Sequence, residues 1–299
     1  MTTIRKGDKG SDVRTCQELL NKLGYGLVAD GIFGAKTETA VKDFQKKNNL
    51  TSDGIVGPKT WAVLQKNECN CNCECCKPSV ISINDYWLKS NEYVQGISQK
   101  DFIVLHHTAG GNNPYQTIDI WNSDSQGRVA TEFVIGGIKC TNGDSTYDGE
   151  VVSSFPQGYW AYHIGSPVGV SGMDKRSVGI ETCNFGHLVN GKTYAGQVCQ
   201  AQQIVTLAKK FRGYQQFQRY SDKQIESLRK LLLYVADRDN IDLHKGLYEW
   251  IKKSGADGFE FQSDAYYGRV KGLVSHSNIR KDKEDMFPQP ELLDMIMSL

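Results

Sequence analysis

A short motif occurs twice near the start of the 299-residue chain, and this repeat constrains the fold more than any other feature. The segments ADGIFGAKTETAV and SDGIVGPKTWAVL begin at Ala29 and Ser52, an offset of 23 residues. Each copy predicts an Asp-Gly turn followed by a helix. Because threonine hydroxyls accept hydrogen bonds at helix N-termini, we expect Thr37 and Thr60 to cap these two helices.

A third helix precedes the repeat. Apolar residues recur at the spacing of one helical face after Ser11, and Gly24 ends the pattern. Residues 1–66 are therefore predicted to form a small all-α domain of three helices.

The whole of this unit resembles the peptidoglycan-binding domain that accompanies many cell-wall hydrolases. The resemblance implies that the domain binds bacterial peptidoglycan without cutting it. Each motif residue on its own is expected to build a turn, so the binding inference rests on the family. The motif residues are Asp30, Gly31, Gly34, Asp53, Gly54 and Gly57.

A cysteine-rich segment, residues 67–79, has no amphipathic period and is predicted to be a linker. Its alternating thiols suit a soft metal such as zinc or copper(I), although their spacing differs from that of zinc fingers. Disulfide cross-linking outside a reducing compartment, or a flexible segment without a role, are the alternatives. The five cysteines are Cys69, Cys71, Cys73, Cys75 and Cys76.

Charge and hydropathy exclude several classes of protein. Lysine plus arginine (35) nearly balances aspartate plus glutamate (34), so no basic field indicates a nucleic-acid partner. No apolar run is long enough for a transmembrane segment, and the N-terminal segment lacks the apolar core of a signal peptide. We therefore expect the protein to be held in a cytoplasm until it is released. The sequence carries no signature of an oligomeric state.

Residues 80–299 predict an α/β (α+β) domain in which helices cover a central mixed sheet. Strands are predicted at residues 102–105, 133–135 and 176–183, and the segment 271–280 predicts a short strand that ends in a histidine. A capping box at Ser221 predicts a long helix after it.

Polar residues that suit a metal follow two of these strands. His106 and His107 are adjacent, and neighbouring side chains of a strand point to opposite faces, so only one of them can face a given site. His276 follows another strand, and Asp285 lies nine residues later. Two imidazoles and a carboxylate from distant segments can form a three-ligand zinc site with an open fourth position. Each histidine taken alone could instead belong to the core.

Two further charged residues accompany this set. Glu181 lies in the apolar segment VGIETC, where an unpaired carboxylate is costly to bury. It is predicted to be either half of a buried salt bridge or a general base that takes a proton from water. Lys283 lies two residues before Asp285, where it either stabilises a developing oxyanion or is a surface charge.

The segments FIVLHHTAG, AYHIG, SVGIETC and SHSNIRKDKED occur in this order in the second domain. Together they resemble the zinc-dependent N-acetylmuramoyl-L-alanine amidases, a group that includes many phage endolysins. The resemblance implies cleavage of the amide between N-acetylmuramic acid and L-alanine of the peptidoglycan stem peptide. It also implies one catalytic Zn²⁺ with His106, His276 and Asp285 as ligands.

The same resemblance implies roles for three other residues. Glu181 matches the catalytic glutamate, and Lys283 matches a lysine that stabilises the oxyanion. His163 in AYHIG matches a histidine near the substrate cleft, where it would contact substrate or support a ligand.

The chain departs from the family's pattern at several positions. Glu132 stands where relatives carry histidine, so it rivals Glu181 as the base and joins His163 and His107 in the predicted substrate-binding set. Asp282 rivals Asp285 as the third ligand. Residues 244–269 resemble an insertion, whose aromatic side chains either line a groove or close a small core.

A wall-binding domain joined to an amidase predicts a phage endolysin that waits in the host cytoplasm and then acts on peptidoglycan. A virion-associated lysin or a bacterial enzyme is the alternative origin. The alternative activities are a non-catalytic peptidoglycan-recognition protein of the same fold and a zinc peptidase that cuts within the stem peptide.

Overall fold

The computed structural model describes residues 3–48, 50–66, 81–125, 127–165 and 172–299. The chain divides into two compact units, Met1–Val80 and Ile81–Leu299. The predicted linker and its five cysteines lie outside the described residues, so metal binding there stays a prediction. None of the described helices combines the length and the apolar character that crossing a membrane requires.

The first unit contains the three predicted helices, α1 (Ser11–Lys22), α2 (Ala35–Lys47) and α3 (Pro58–Lys66). Apolar side chains from all three helices, with Ile4, Phe33 and Val56 from the connecting segments, form one core. The prediction of a small all-α domain is confirmed.

The predicted threonine caps are wrong, because both helices begin before the threonines. Gly34 is the N-cap of α2, and Thr37 is buried within the first turn. The Thr37 hydroxyl accepts a hydrogen bond from Gln17 Nε2 at 3.2 Å instead of capping the helix. In the second repeat, Thr60 accepts from Gln45 Nε2 at the same distance.

A buried glutamine holds each repeated turn, which explains why the motif recurs. In each repeat the glutamine side-chain carbonyl accepts a hydrogen bond from the backbone N–H of the turn glycine, at 2.8 Å in the first repeat and 2.9 Å in the second. The glutamine side-chain NH₂ donates to the carboxylate of the turn aspartate, at 2.9 Å in the first repeat and 2.8 Å in the second. Both glycines have positive φ, where a side chain would be strained. The two sets are Gln17 with Gly31 and Asp30, and Gln45 with Gly54 and Asp53.

The described residues of the second unit form nine strands. They are β1 (Ile83–Asp85), β2 (Phe102–His107), β3 (Phe133–Ile135), β4 (Val151–Ser153), β5 (Ser177–Thr182), β6 (His187–Leu188), β7 (Ile204–Phe211), β8 (Tyr214–Gln218) and β9 (Gly272–Ser275).

Its helices are α4 (Pro114–Ser123), α5 (Met173–Arg176), α6 (Asp222–Asp239), α7 (Leu247–Ser254), α8 (Ser263–Tyr266), α9 (His276–Ile279) and α10 (Pro290–Met297). Ser221 caps α6 through the predicted capping box with Gln224.

Six strands form the central sheet in the order β1-β4-β3-β5-β2-β9. Among the described strands of this sheet, β3 and β4 pair antiparallel and the other pairs are parallel, so the sheet is mixed, as predicted. Every residue of β2 is buried, because helices and loops cover both faces of the sheet. Ile103 and Leu105 pack in the core beneath α6 and α10, whereas Phe102 and Val104 belong to a smaller cluster on the other face.

A second sheet, of order β6-β8-β7, is antiparallel and was not predicted from the sequence. The tight turn between β7 and β8 contains Arg212, which has positive φ, and Gly213.

The predicted insertion, residues 244–269, forms α7, a short 3-10 segment and α8. Phe259 is fully buried and belongs to the main core, whereas Phe261 and Tyr266 line a surface cleft. Some aromatic side chains of this segment therefore belong to a core, and others line a cleft.

Candidate active site

Three polar side chains meet where β2 and β9 end. His106 Nδ1 lies 3.1 Å from His276 Nδ1 and 3.2 Å from Asp285 Oδ2, and His276 Nδ1 lies 2.8 Å from the same oxygen. Among the residues that the structure describes, this is the group of histidine, cysteine and carboxylate side chains placed to hold a metal ion. The structure thus brings together the three predicted ligands.

The parallel pairing of β2 with β9 creates this meeting point. Leu105 is in register with Ser275. The next residue after each of them, His106 or His276, therefore lies at the same edge of the sheet. Ser275 caps α9 by accepting a hydrogen bond from Asn278 N, which turns the chain immediately after the strand. Ligands commonly bind at this carboxyl edge of α/β sheets.

Asp285 rather than Asp282 completes the group. Its backbone carbonyl accepts a hydrogen bond from Ser277 N at 2.8 Å, which holds the returning loop against α9. Burial alone would raise the pKa of Asp285, but the neighbouring His276 and His106 hold it well below its usual value. Asp282 is exposed and forms an ion pair with Arg280, with an Nη2–Oδ2 distance of 2.6 Å.

The outer nitrogens of both histidines are also bonded. His276 Nε2 donates to the carbonyl of Ile164 at 2.9 Å. His106 Nε2 lies 2.9 Å from His163 Nδ1, and His163 Nε2 lies 2.8 Å from Ser177 Oγ. With Nδ1 of His106 facing the group, its Nε2 must donate and His163 Nδ1 must accept. These bonds fix the ring orientations and tautomers that a metal requires.

Glu181 stands beside His106 on the adjacent strand. The two residues are in register on β5 and β2, so both side chains point to the same face. Within the described ranges, the Glu181 carboxylate has no hydrogen bond or ion pair. Burial raises its pKa well above the usual value, the charge of Asp285 adds to the shift, and Lys283 opposes it.

Lys283 lines the same cavity from the loop that ends at Asp285. Arg212, at the β7–β8 turn, donates to the backbone carbonyls of Lys283 and Ser277 at 3.1 and 3.0 Å. Arg212 also pairs with Glu260 at 2.8 Å. The small sheet therefore holds the loop that carries Lys283 and Asp285.

The group opens into a cavity of about 750 Å³. Residues from the α4 region, from the small sheet and from the loop before Asp285 line it, in addition to the predicted site residues. None of these lining residues was predicted from the sequence, because no local pattern shows that their side chains face a cavity. The missed residues are Trp121, Val129, Thr131, His187, Arg212, Tyr214, Lys281 and Glu284.

Two members of the predicted substrate-binding set are engaged elsewhere. His107 points away from His106, as strand alternation requires, and its Nδ1 hydrogen bonds with Tyr220 Oη at 2.8 Å, although the residue still borders the cavity. Glu132 pairs with Arg238 at 2.6 Å and is not among the cavity-lining residues of the described chain. This placement of Glu132 contradicts its prediction as a rival base or substrate contact.

A buried three-donor group at the carboxyl edge of a mixed sheet, with a partner-free carboxylate beside it, is typical of single-metal hydrolases. Residues 97–288 match a family model described as N-acetylmuramoyl-L-alanine amidase, and residues 9–64 match one described as putative peptidoglycan binding domain. The chain belongs to the N-acetylmuramoyl-L-alanine amidase family.

Individual relatives share parts of the chain. N-acetylmuramoyl-L-alanine amidase CwlL of Bacillus licheniformis is 42% identical over 66 residues, which are 21% of this chain and 18% of that protein. N-acetylmuramoyl-L-alanine amidase CwlM of Mycobacterium tuberculosis is 47% identical over 57 residues, 18% of this chain and 14% of that protein. The chain spans about half or less of the length of the curated relatives it matches.

A solved structure of N-acetylmuramoyl-L-alanine amidase LysC from Clostridium intestinale aligns over 73% of this chain and 95% of that one. The identity is 15% and the TM-score is 0.38.

Proposed function

We propose that the protein is a zinc-dependent amidase that hydrolyses the bond between N-acetylmuramic acid and L-alanine in peptidoglycan. One observation carries the proposal: the Glu181 carboxylate, which has no partner among the described residues, lies in register with His106. It stands beside three donor atoms within 3.2 Å of one another. Family membership supplies the substrate class.

Zinc fits the donor group. Bonds of about 2.0–2.2 Å in a tetrahedron place neighbouring ligand atoms about 3.4 Å apart. The donor atoms of His106, His276 and Asp285 are separated by 3.1, 3.2 and 2.8 Å, which is close to this ligand–ligand separation. Two neutral imidazoles and one carboxylate leave a fourth position, as catalytic zinc sites do.

Bound zinc would supply a Lewis acid that polarises the carbonyl and lowers the pKa of water. Glu181 accepts a proton from the attacking water and delivers it to the leaving nitrogen. Its raised pKa suits this role, because the carboxylate must hold the proton between the two transfers. Lys283 places a positive charge in the cavity, where it stabilises the carbonyl oxygen as that oxygen gains negative charge.

The first unit would anchor the enzyme to its insoluble substrate. The match of residues 9–64 to a peptidoglycan-binding family supports this role. We expect a chain lacking residues 1–66 to co-sediment less with purified walls than the full chain does.

Product analysis tests the activity. Purified protein is incubated with isolated peptidoglycan, with and without a chelator, and newly freed amino termini are labelled and identified by mass. The proposal predicts stem peptides with free N-terminal L-alanine, lost on chelation and restored by zinc. Cleavage within the stem would instead identify a zinc peptidase, and zinc binding without any release would identify a non-catalytic recognition protein.

We further propose that the enzyme is a phage endolysin, retained inside the producing cell until the membrane opens. The pairing of a wall-binding unit with an amidase supports this. Cells expressing the protein should then lyse only after membrane permeabilisation. Lysis without permeabilisation would indicate that the protein is exported across the membrane by another route.

A further inference from the structure

A second cleft adjoins the active-site cavity. Its volume is about 290 Å³, and it shares Lys281 and Asp282 with the main cavity. Phe261 and Tyr266, from the inserted segment, provide its aromatic lining. Lys281 therefore lies at the junction of the two clefts.

The ammonium group of Lys281 has no carboxylate partner among the residues that the structure places. The two nearest carboxylates in sequence are already paired, Asp282 with Arg280 at 2.6 Å and Glu284 with His187 at 2.7 Å. Lys281 Nζ instead lies 4.8 Å from the ring centroid of Phe261. A cation–π contact of this kind positions an ammonium group and leaves its donors available to an anion.

The position of Lys281 sets which part of a substrate it can reach. It lies two residues from Lys283, so their Cα atoms are at most about 7 Å apart. Under the proposed function, Lys283 acts at the scissile carbonyl. Both lysines line the main cavity, so a carboxylate bound by Lys281 would belong to a part of the peptide near that amide.

We propose that Lys281 is a specificity-determining residue that binds a free carboxylate of the stem peptide close to the scissile amide. The cleft formed by Phe261 and Tyr266 receives the apolar part of the same peptide. This inference rests on the proposed function. We expect an acidic stem peptide because Lys281, which has no carboxylate partner among the described residues, offers a positive charge beside an apolar surface.

A matched pair of substrates tests it. Two N-acetylmuramoyl peptides are prepared that differ at one group, a free carboxylate or a primary amide on the residue after L-alanine. We expect wild-type protein to favour the acid. Lys281→Met keeps the aliphatic stem but removes the charge, so kcat/KM should fall roughly tenfold for the acid and little for the amide. Lys281→Arg should retain the preference.

Lys252→Met is the matched control, since Lys252 is exposed on α7 and lines neither cleft. It should leave both substrates unchanged. Equal losses for acid and amide in Lys281→Met, or no loss for either, would overturn the proposal. The equilibrium dissociation constants of the same two compounds show whether Lys281 sets the preference for the acid even if no product is released. Absence of turnover by wild-type protein contradicts the proposed function. An acid preference in binding that is the same in wild-type protein and in Lys281→Met contradicts the proposed role of Lys281.

Discussion

Glu132 and Glu181 are two carboxylates beside the same sheet, and burial raises the pKa of both. Arg238, which belongs to α6, approaches Glu132 to 2.6 Å. Glu181, one strand away, has no such partner in the described chain and opens into a cavity with His106 and Lys283. Burial alone therefore does not separate a structural carboxylate from one proposed to be catalytic.

The difference lies in what offsets the cost of burial. A buried charge is tolerated when it is paired and hydrogen bonded, and Arg238 satisfies this for Glu132. The carboxylate of Glu181 is left able to exchange protons with a substrate and water. A group in that condition is a functional-site candidate.

The largest expected effect comes from exchanging each carboxylate for an amide of the same shape. Glu181→Gln should lower the rate of peptidoglycan hydrolysis by about 10²- to 10⁴-fold, because general acid–base catalysis contributes on that scale. Bound zinc should be unchanged. Glu132→Gln should retain near wild-type activity per folded molecule. Comparable losses in the two variants, measured as freed amino termini, would remove the distinction between them.

Arg238→Met should affect stability rather than chemistry. It leaves Glu132 buried without its partner, and breaking a buried ion pair in this way costs about 3–5 kcal/mol. Urea unfolding followed by circular dichroism measures the loss. A cost below about 1 kcal/mol would mean that Glu132 does not depend on Arg238, against the account of why it is structural.

His163→Ala tests whether this residue supports His106 or contacts substrate. Loss of the hydrogen bond to His106 Nε2 should weaken zinc binding about 10- to 100-fold, as removal of such supporting bonds does elsewhere. Competition with a chromogenic chelator gives the affinity. Unchanged zinc affinity with a raised KM would assign His163 to substrate contact instead.

The smallest effect is expected at Asp282, whose carboxylate is paired with Arg280 at the exposed rim. Asp282→Asn should change zinc affinity and activity by less than about threefold, since exposed ion pairs contribute little. Asp285→Asn is the matched comparison and should weaken zinc binding strongly. If the two variants behaved alike, Asp282 would have to be counted among the ligands.

Much of this site was predictable because its residues follow short apolar strands. Strand alternation separates His106 from His107, and parallel pairing brings His276 beside His106. The capping box at Ser221 likewise predicted α6. These are local patterns whose geometry follows from backbone periodicity alone.

Other features depend on contacts between distant segments. Glu132 and Arg238 are 106 positions apart, and no local pattern connects them. The antiparallel sheet that supplies Arg212 and Tyr214 was not predicted, since half of the residues of β7 are exposed and the strand lacks an apolar alternation. Thr37 was mistaken for a cap because its partner, Gln17, lies on another helix.

A crystal structure of the zinc-loaded protein, with anomalous scattering recorded at the zinc edge, would locate the metal and its ligands. We expect one zinc bonded to His106 Nδ1, His276 Nδ1 and Asp285 Oδ2, with the Glu181 carboxylate nearby and unbonded to the metal. A zinc ligated by Glu181, or bound away from these three donors, would contradict the assignment of Glu181 as the proton-transferring base.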